Sequence, residues 1–263
     1  MPRLDRTVGM RNKVETRLKQ CKKGGKTAIF LLVDSENFSS TSSVEKMAKE
    51  LFNATKNMKD FYPVILVGGS SATDQMGMDK AVRILRRKTK LDIVLFPGNI
   101  TGVVPKAHAI LFSCLMNSEN PYYITQAQAL GAPLVRKMKL EALPTAYLII
   151  GEGTSAWFFG NARGIPFDKP KIAAAYAMAA QYMGMRFVYL EAGSGAKQNV
   201  TPEMVQTVRA VFDGFLMVGG GIRLAKTASS LIKAGADGLV VGTLLEQTGG
   251  LKKFTEMVKS IRK

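Results

Sequence analysis

Eight short apolar runs rich in β-branched residues recur along the chain, each followed by turn residues and a helix-like stretch. That rhythm of βα units constrains the fold more than any other feature. The runs are Thr27 to Val33, Pro63 to Val67, Asp92 to Phe96, Ala109 to Phe112, Ala146 to Ile150, Phe187 to Leu190, Phe215 to Val218 and Gly238 to Val241. They are continuously apolar rather than alternating, as strands buried on both faces of a parallel sheet are. Eight such units in 263 residues predict an α/β fold, a single closed (β/α)8 domain of TIM-barrel type.

The intervening helices are tested by their period. Val44, Met47, Ala48, Leu51 and Phe52 fall on one helical face, with Glu45, Lys46, Lys49 and Glu50 opposite. Ile172, Tyr176, Ala179 and Met183 are read as a second stripe, stopped by Gly184, and Leu251, Phe254, Val258 and Ile261 as a third. Val14, Leu18 and Cys21 also share a face, which predicts an extra N-terminal helix. Residues 1–25 are therefore read as a basic helical extension and residues 26–263 as the barrel. No linker of Pro, Gly or Ser divides the chain.

No apolar run reaches the roughly 18 to 20 residues that cross a bilayer, and Met1 to Lys26 lacks the apolar centre of a signal peptide. Two cysteines, Cys21 and Cys114, cannot build a disulfide framework. Both observations predict a soluble, cytoplasmic protein. The one histidine, His108, excludes a two-histidine metal site and leaves no catalytic triad.

Charge is the compositional outlier: 37 Lys and Arg against 20 Asp and Glu give +17. Such a field attracts anions, whether nucleic acid, an acidic membrane surface or a phosphorylated substrate. No zinc-finger spacing, aromatic-glycine RNA-binding signature or arginine-rich tract is present, so nucleic acid is not the expected partner. The basic N-terminal helix leaves peripheral contact with an anionic membrane open.

A βα barrel places its chemistry where strands run into the loops that follow them. Asp34 follows the first run, and Gly68-Gly69-Ser70-Ser71 the second. Tyr189-Leu190-Glu191-Ala192-Gly193-Ser194-Gly195 spans the sixth, Gly219-Gly220-Gly221-Ile222-Arg223 follows the seventh and Gly242-Thr243 the eighth. Glycines let backbone N–H groups approach an anion, and helix N-termini add positive potential. The last two loops therefore predict a phosphate site. Asp34 with the Ser70 hydroxyl makes a hard-cation site of oxygen ligands, though Asp34 would equally serve to cap its loop. Glu191, beside Tyr189, is placed to take a proton or hold a substrate hydroxyl. Lys26, at the start of the first run, belongs to the far end of a straight strand.

Several of these motifs occur together in one family. Phe96-Pro97-Gly98-Asn99, Asn117-Ser118-Glu119-Asn120-Pro121-Tyr122, Gly164-Ile165-Pro166 and Lys169-Pro170, with Tyr189 to Gly195, Val218 to Arg223 and Val241-Gly242-Thr243, closely resemble the geranylgeranylglyceryl phosphate synthase family. The resemblance covers about Lys26 to Glu246. It implies a magnesium-dependent prenyltransferase of archaeal ether-lipid synthesis that joins geranylgeranyl diphosphate to the C3 hydroxyl of sn-glycerol 1-phosphate. By motif, the glycerol-phosphate site falls on Lys26, Tyr189 to Gly195, Gly220, Gly221, Gly242 and Thr243, the Mg2+ ligands on Asp34 and Ser70, and catalysis on Glu191 with Tyr189. A homo-oligomer is expected. Two positions depart from the family pattern: Ser35 stands where proline is expected, and Gly151-Glu152-Gly153-Thr154 replaces a proline-glycine loop.

A prenyl substrate also requires a long apolar groove, for which Phe112, Met116, Tyr122, Tyr123, Trp157 and Phe158 are candidate walls. The rival readings are a synthase for another prenyl length such as heptaprenyl, another phosphate-binding barrel enzyme, and a non-enzymatic protein whose charge binds nucleic acid or lipid.

Overall fold

A computed structural model describes residues 13–34, 40–69 and 75–261. Eight parallel strands close a barrel in chain order: β1 Thr27–Asp34, β2 Phe61–Gly69, β3 Asp92–Pro97, β4 Ala109–Leu115, β5 Glu141–Ile149, β6 Phe187–Glu191, β7 Phe215–Gly219 and β8 Gly238–Val241. β8 returns to pair with β1, so no edge is left open. Seven of the eight runs lie within a strand, and the fifth, Ala146 to Ile150, passes the end of β5 by one residue. β5 begins five residues before its run, because the polar Glu141 and the imino residue Pro144 mask its start in the sequence.

Side chains alternate between two cores, as the pleat requires. Ile29 and Leu31 face the surrounding helices, whereas Phe30 points into the lumen with Phe187, Tyr189 and Phe215. The helices are α1 Lys13–Lys23, α2 Thr41–Thr55, α3 Gln75–Thr89, α4 Ala127–Lys137, α5 Ser155–Phe159, α6 Pro170–Tyr182, α7 Pro202–Arg209, α8 Ala225–Lys233, α9 Thr243–Glu246 and α10 Gly250–Lys259. In α2, Val44, Ala48 and Leu51 are buried as the period predicts, while Phe52 turns outward. The stripe read in α6 is not the buried one. Ala173, Ala174, Ala177 and Ala180 face the barrel, while Ile172, Tyr182 and Met183 are exposed, because methyl-sized side chains let α6 lie close against the strands.

Two features position the site. The connection from β3 to β4 has no full helix. Pro97, Gly98, Gly102 and Pro105 break it, and only one 3₁₀ turn, Ile100–Gly102, forms. That is the exception to the βα rhythm, and it vacates part of the outer wall.

The second feature is α1, which closes the N-terminal end of the barrel. Val14, Leu18 and Cys21 join the lumen core, so the N-terminal helix packs as part of the barrel unit rather than as an appendage. Both oxygens of the buried Glu141 accept the Val14 and Glu15 N–H groups, at 2.8 and 2.9 Å, and so cap the helix. Glu15 receives a two-pronged bond from Arg186 at 2.7 and 2.9 Å.

Burial opposes ionisation of Glu15, but Arg186 and Lys19 outweigh it and hold the carboxyl below its ordinary value near 4.5. A depressed carboxyl contributes stability that is present above its unfolded value and lost as pH falls through the folded one. Glu15→Gln is expected to cost roughly 1–3 kcal/mol near pH 7 in urea unfolding. The difference from the parent should shrink below about pH 4.5, and a pH-independent difference would contradict the ion-pair account.

Candidate active site at the barrel mouth

Parity along β6 decides the centre of the site. Tyr189 points into the lumen, and Glu191, two residues on, therefore points inward at the mouth. Below it lies a layer of rings: Phe96, Tyr147 and Tyr189 contact one another with centroids 5.1 to 5.6 Å apart. Glu191 is only 6% exposed, and each of its carboxylate oxygens accepts one hydrogen bond. The Tyr189 hydroxyl donates to Oε2 and the Gly193 N–H to Oε1. Burial raises the Glu191 carboxyl above its ordinary value, and those two donors offset part of the rise. Tyr147 and Tyr189 are pushed far up by burial and by the Glu191 charge, so both phenols stay protonated.

Glycines make room for this arrangement. A Cβ on Gly219 would sit 2.6 Å from the Tyr189 hydroxyl and 2.7 Å from Glu191 Oε2. Gly220 has φ 93°, a conformation that suits glycine, and a Cβ there would strike Ala192. Asn199 Nδ2 donates to the Gly220 carbonyl at 2.7 Å, so in the trans peptide the Gly221 N–H points the opposite way. Next to this loop, Ser194 Oγ lies 3.0 Å from Thr243 Oγ1, which also accepts the Gly195 N–H at 3.2 Å. The loops after β6 and β8 are thereby tied together. α8 starts at the end of the glycine loop with no side-chain cap, leaving its first N–H groups for an anion.

One cavity of about 450 Å³ opens here and has two halves. The polar half holds Asp34, Glu191, Gly193, Ser194, Gly220, Gly221, Gly242, Thr243 and Glu246. The apolar half runs into the space left by the missing helix, past Phe96, Val103, Ile110, Phe112, Tyr123, Val135 and Phe159. Gly131 of α4 lines it too, with nothing nearer to a Cβ there than Ile100 Cγ2 at 3.9 Å. At the rim, the Tyr122 hydroxyl donates to Asn99 Oδ1 at 2.6 Å and ties the π-helical turn Tyr122–Gln126 to the β3 loop.

Most residues picked out by sequence converge on this mouth, with exceptions. Lys26 stands exposed before β1, at the closed end of the barrel, and takes no part in the site. Leu190 and Ala192 turn their side chains into the outer core, so only their backbone can serve a ligand. Ser70 and Ser35 lie outside the described residues. Among the candidate groove walls, Phe112 and Tyr123 line the cavity, Met116 packs against the outer core, Trp157 belongs to a small satellite core and Phe158 is exposed to solvent. Asn117 is a structural tie: it donates to the Ile149 and Arg163 carbonyls, each at 2.9 Å.

Sequence reading missed Glu246, Tyr147 and Gly131. Glu246 follows Gly242-Thr243 by one short helix, and that spacing was the available signal. Its carboxyl is held above the ordinary value by burial and by the nearby Asp34 charge. Two carboxylates facing one polar cavity leave a negative charge that a hard cation with oxygen ligands would balance. Among the described residues, no group of three His, Cys, Asp or Glu side chains is arranged to hold a metal by itself. The fit is therefore to an ion that also takes waters and ligand oxygens.

The chain matches the PcrB family over residues 40–262. It is 62% identical over 252 residues to the geranylgeranylglyceryl phosphate synthase of Nitrosopumilus maritimus, covering 96% of this chain and 98% of that one. It belongs to the PcrB family. A second relative, the geranylgeranylglyceryl phosphate synthase of Thermococcus kodakarensis, is 44% identical over 89% of this chain and 90% of its own length. The crystal structure of (S)-3-O-geranylgeranylglyceryl phosphate synthase from Thermoplasma acidophilum, in complex with sn-glycerol-1-phosphate, superimposes with a TM-score of 0.85. It is 36% identical, with 94% of this chain and 98% of that chain covered.

The hydrogen bonds to Glu191 make a pH prediction for this PcrB-family barrel. If Glu191 takes a proton in turnover, the acidic limb of the rate profile should lie above the ordinary carboxylate range near 4.5, because the raised carboxyl has to be ionised to accept it. Tyr189→Phe removes a donor that favours the charged form, so the limb should move to still higher pH. A limb that stays in place would separate Tyr189 from the proton chemistry.

Proposed function

We infer that this chain is a geranylgeranylglyceryl phosphate synthase, a prenyltransferase that joins geranylgeranyl diphosphate to the C3 hydroxyl of sn-glycerol 1-phosphate and releases diphosphate. One observation carries the reading: a single cavity joins a glycine-lined anion cradle and a buried carboxylate to an apolar groove. A barrel enzyme acting on a small phosphosugar has no use for the groove, and a protein whose only task is to bind polyanions has no use for Glu191.

The loops after β7 and β8 hold the acceptor phosphate through backbone N–H groups and the N-terminus of α8. That leaves the acceptor C3 hydroxyl beside Glu191. Its carboxylate, fixed by Tyr189 and Gly193, orients the hydroxyl and takes its proton as the oxygen bonds to the prenyl C1 and the bond from C1 to the diphosphate oxygen breaks. The groove excludes water from the allylic carbon, so the positioned hydroxyl is the nucleophile at hand.

Asp34, with Glu246 across the polar half, would hold Mg2+, and Ser70 is the second ligand implied by resemblance. The ion supplies charge neutralisation for the departing diphosphate. A homo-oligomer is the assembly expected of this chain. No helix among the described residues is long and apolar enough to cross a membrane.

The test is an assay with purified chain, sn-glycerol 1-phosphate and a panel of prenyl diphosphates. Ether product should form with the C20 donor, and Glu191→Gln should lower turnover about 10²–10⁴-fold. Stripping divalent metal should abolish product and Mg2+ should restore it; product undiminished by chelation would refute the metal role. Gly131→Phe, which fills the groove, should lower kcat/KM for the C20 donor more than for a C10 donor. A preference for heptaprenyl diphosphate in the parent would replace the C20 assignment with the longer one.

A further inference from the structure

Part of the +17 charge stands at the closed end of the barrel. Exposed lysines stand before five consecutive strands: Lys26 before β1, Lys59 before β2, Lys90 before β3, Lys106 before β4 and Lys139 before β5. Four acids of the same end are used internally, while Asp60 before β2 and Asp213 before β7 are exposed. Asp92 is held by Arg17 and Tyr62, Glu15 by Arg186, Asp237 by Lys22 and Arg209, and Glu141 caps α1. Lys90, Lys106 and Lys139 have no ion pair among the described residues.

Backbone conformation marks three of these lysines. Lys90, Lys106 and Lys139 have φ of 58°, 73° and 56°, the left-handed region that disfavours a side chain. Turns into β1, β6 and β8 at the same end use Gly25, Gly184 and Gly235 in that conformation, with φ of 65°, 80° and 109°. One chain thus fills one structural role with glycine at three turns and with lysine at three others. The three lysines enter neighbouring strands β3, β4 and β5 and form one patch. Helix dipoles attract cations to C-termini, but Lys106 follows Pro105 in a turn with no full helix before it. Strain kept at an exposed turn points to a use for the side chain.

The surroundings reinforce the patch. His108 beside it is held below its ordinary value by burial and by Arg86, Arg17 and Lys13, although Asp92 pulls the other way. Above the patch, the apolar groove reaches its closed-end limit at Val103, Ile110 and Val135, each within a few residues of Lys106 or Lys139.

We propose that the closed end of the barrel beneath β3, β4 and β5, centred on Lys90, Lys106 and Lys139, docks on the surface of an anionic lipid bilayer. Phosphate headgroups meet the lysines, and each cation near such a surface adds to binding. The groove descends toward this face from the mouth, so a prenyl tail lies bilayer-side and its diphosphate solvent-side, the polarity in which an amphiphile leaves a membrane. This last point rests on the proposed prenyl reaction; the docking itself does not.

Co-sedimentation of the full chain, without substrates, with vesicles of phosphatidylcholine alone or mixed with phosphatidylglycerol tests the proposal. The parent should bind only the anionic vesicles and release in high salt. Lys90→Gly combined with Lys106→Gly and Lys139→Gly suits the backbone at all three turns, so its thermal midpoint should hold or rise. Its vesicle affinity should fall about fivefold per lysine, roughly 100-fold in all. Single Lys→Gln variants should each show a proportionate part of that loss. A control with Lys171→Gln, Lys226→Gln and Lys253→Gln, on other helices, should bind as the parent does. Equal binding by the glycine variant and the parent, equal loss in the control, or binding to RNA or DNA without binding to vesicles would overturn the proposal. Prenyl transfer without vesicle binding would refute the docking alone, and vesicle binding without transfer would refute the reaction alone.

Discussion

An ionised carboxylate buried above a layer of aromatic rings is unfavourable unless donors compensate it, and the mouth of this barrel is organised around that requirement. Glu191 obtains its donors from its own strand and loop, the Tyr189 hydroxyl and the Gly193 N–H. Gly219 must then lack a side chain, since a Cβ would collide with both Tyr189 and Glu191. The β6 loop, held in place by Glu191, reaches the β8 loop through Ser194 and Thr243. The anion cradle and the proton acceptor are therefore one connected unit, and a change at any of these residues is felt at the others.

The same barrel is completed at its two ends by different means. At the closed end, α1 inserts apolar side chains into the lumen, and Glu141 and Arg186 fix the helix from below. Among the described residues, no such plug stands at the mouth. The connection from β3 to β4 gives up its helix, and the apolar surface thereby uncovered on the flank becomes the wall of a groove. A chain of methylenes can replace a helix in this position because both bury the same kind of surface.

Much of the fold is legible in the residues because parallel strands buried on both faces must be apolar throughout, which leaves eight runs in plain view. The α6 face was misread because hydropathy weighs Ile172 and Met183 above alanine, whereas packing distance favours the smaller side chain. Loop motifs disclosed Asp34, Glu191 and the glycines, since strand ends of a barrel converge on one mouth. Glu246 and Gly131 stayed hidden, one in a helix of four residues and the other in a helix that shows no local sign of facing a cavity. Lys26 shows the converse: a motif position that the path of β1 carries to the opposite end.

Sequence by itself determined the eight-stranded barrel, the place of Glu191 at a strand end and the glycine loops, because each follows from a local period or a local need for φ freedom. Only the tertiary structure decided that Asp34 and Glu246 face one cavity, that the vacated flank between β3 and β4 continues it, and that Lys90, Lys106 and Lys139 enter neighbouring strands at the closed end. Those facts depend on barrel closure, which brings together residues as much as two hundred positions apart in the chain, and no periodicity records such a distance.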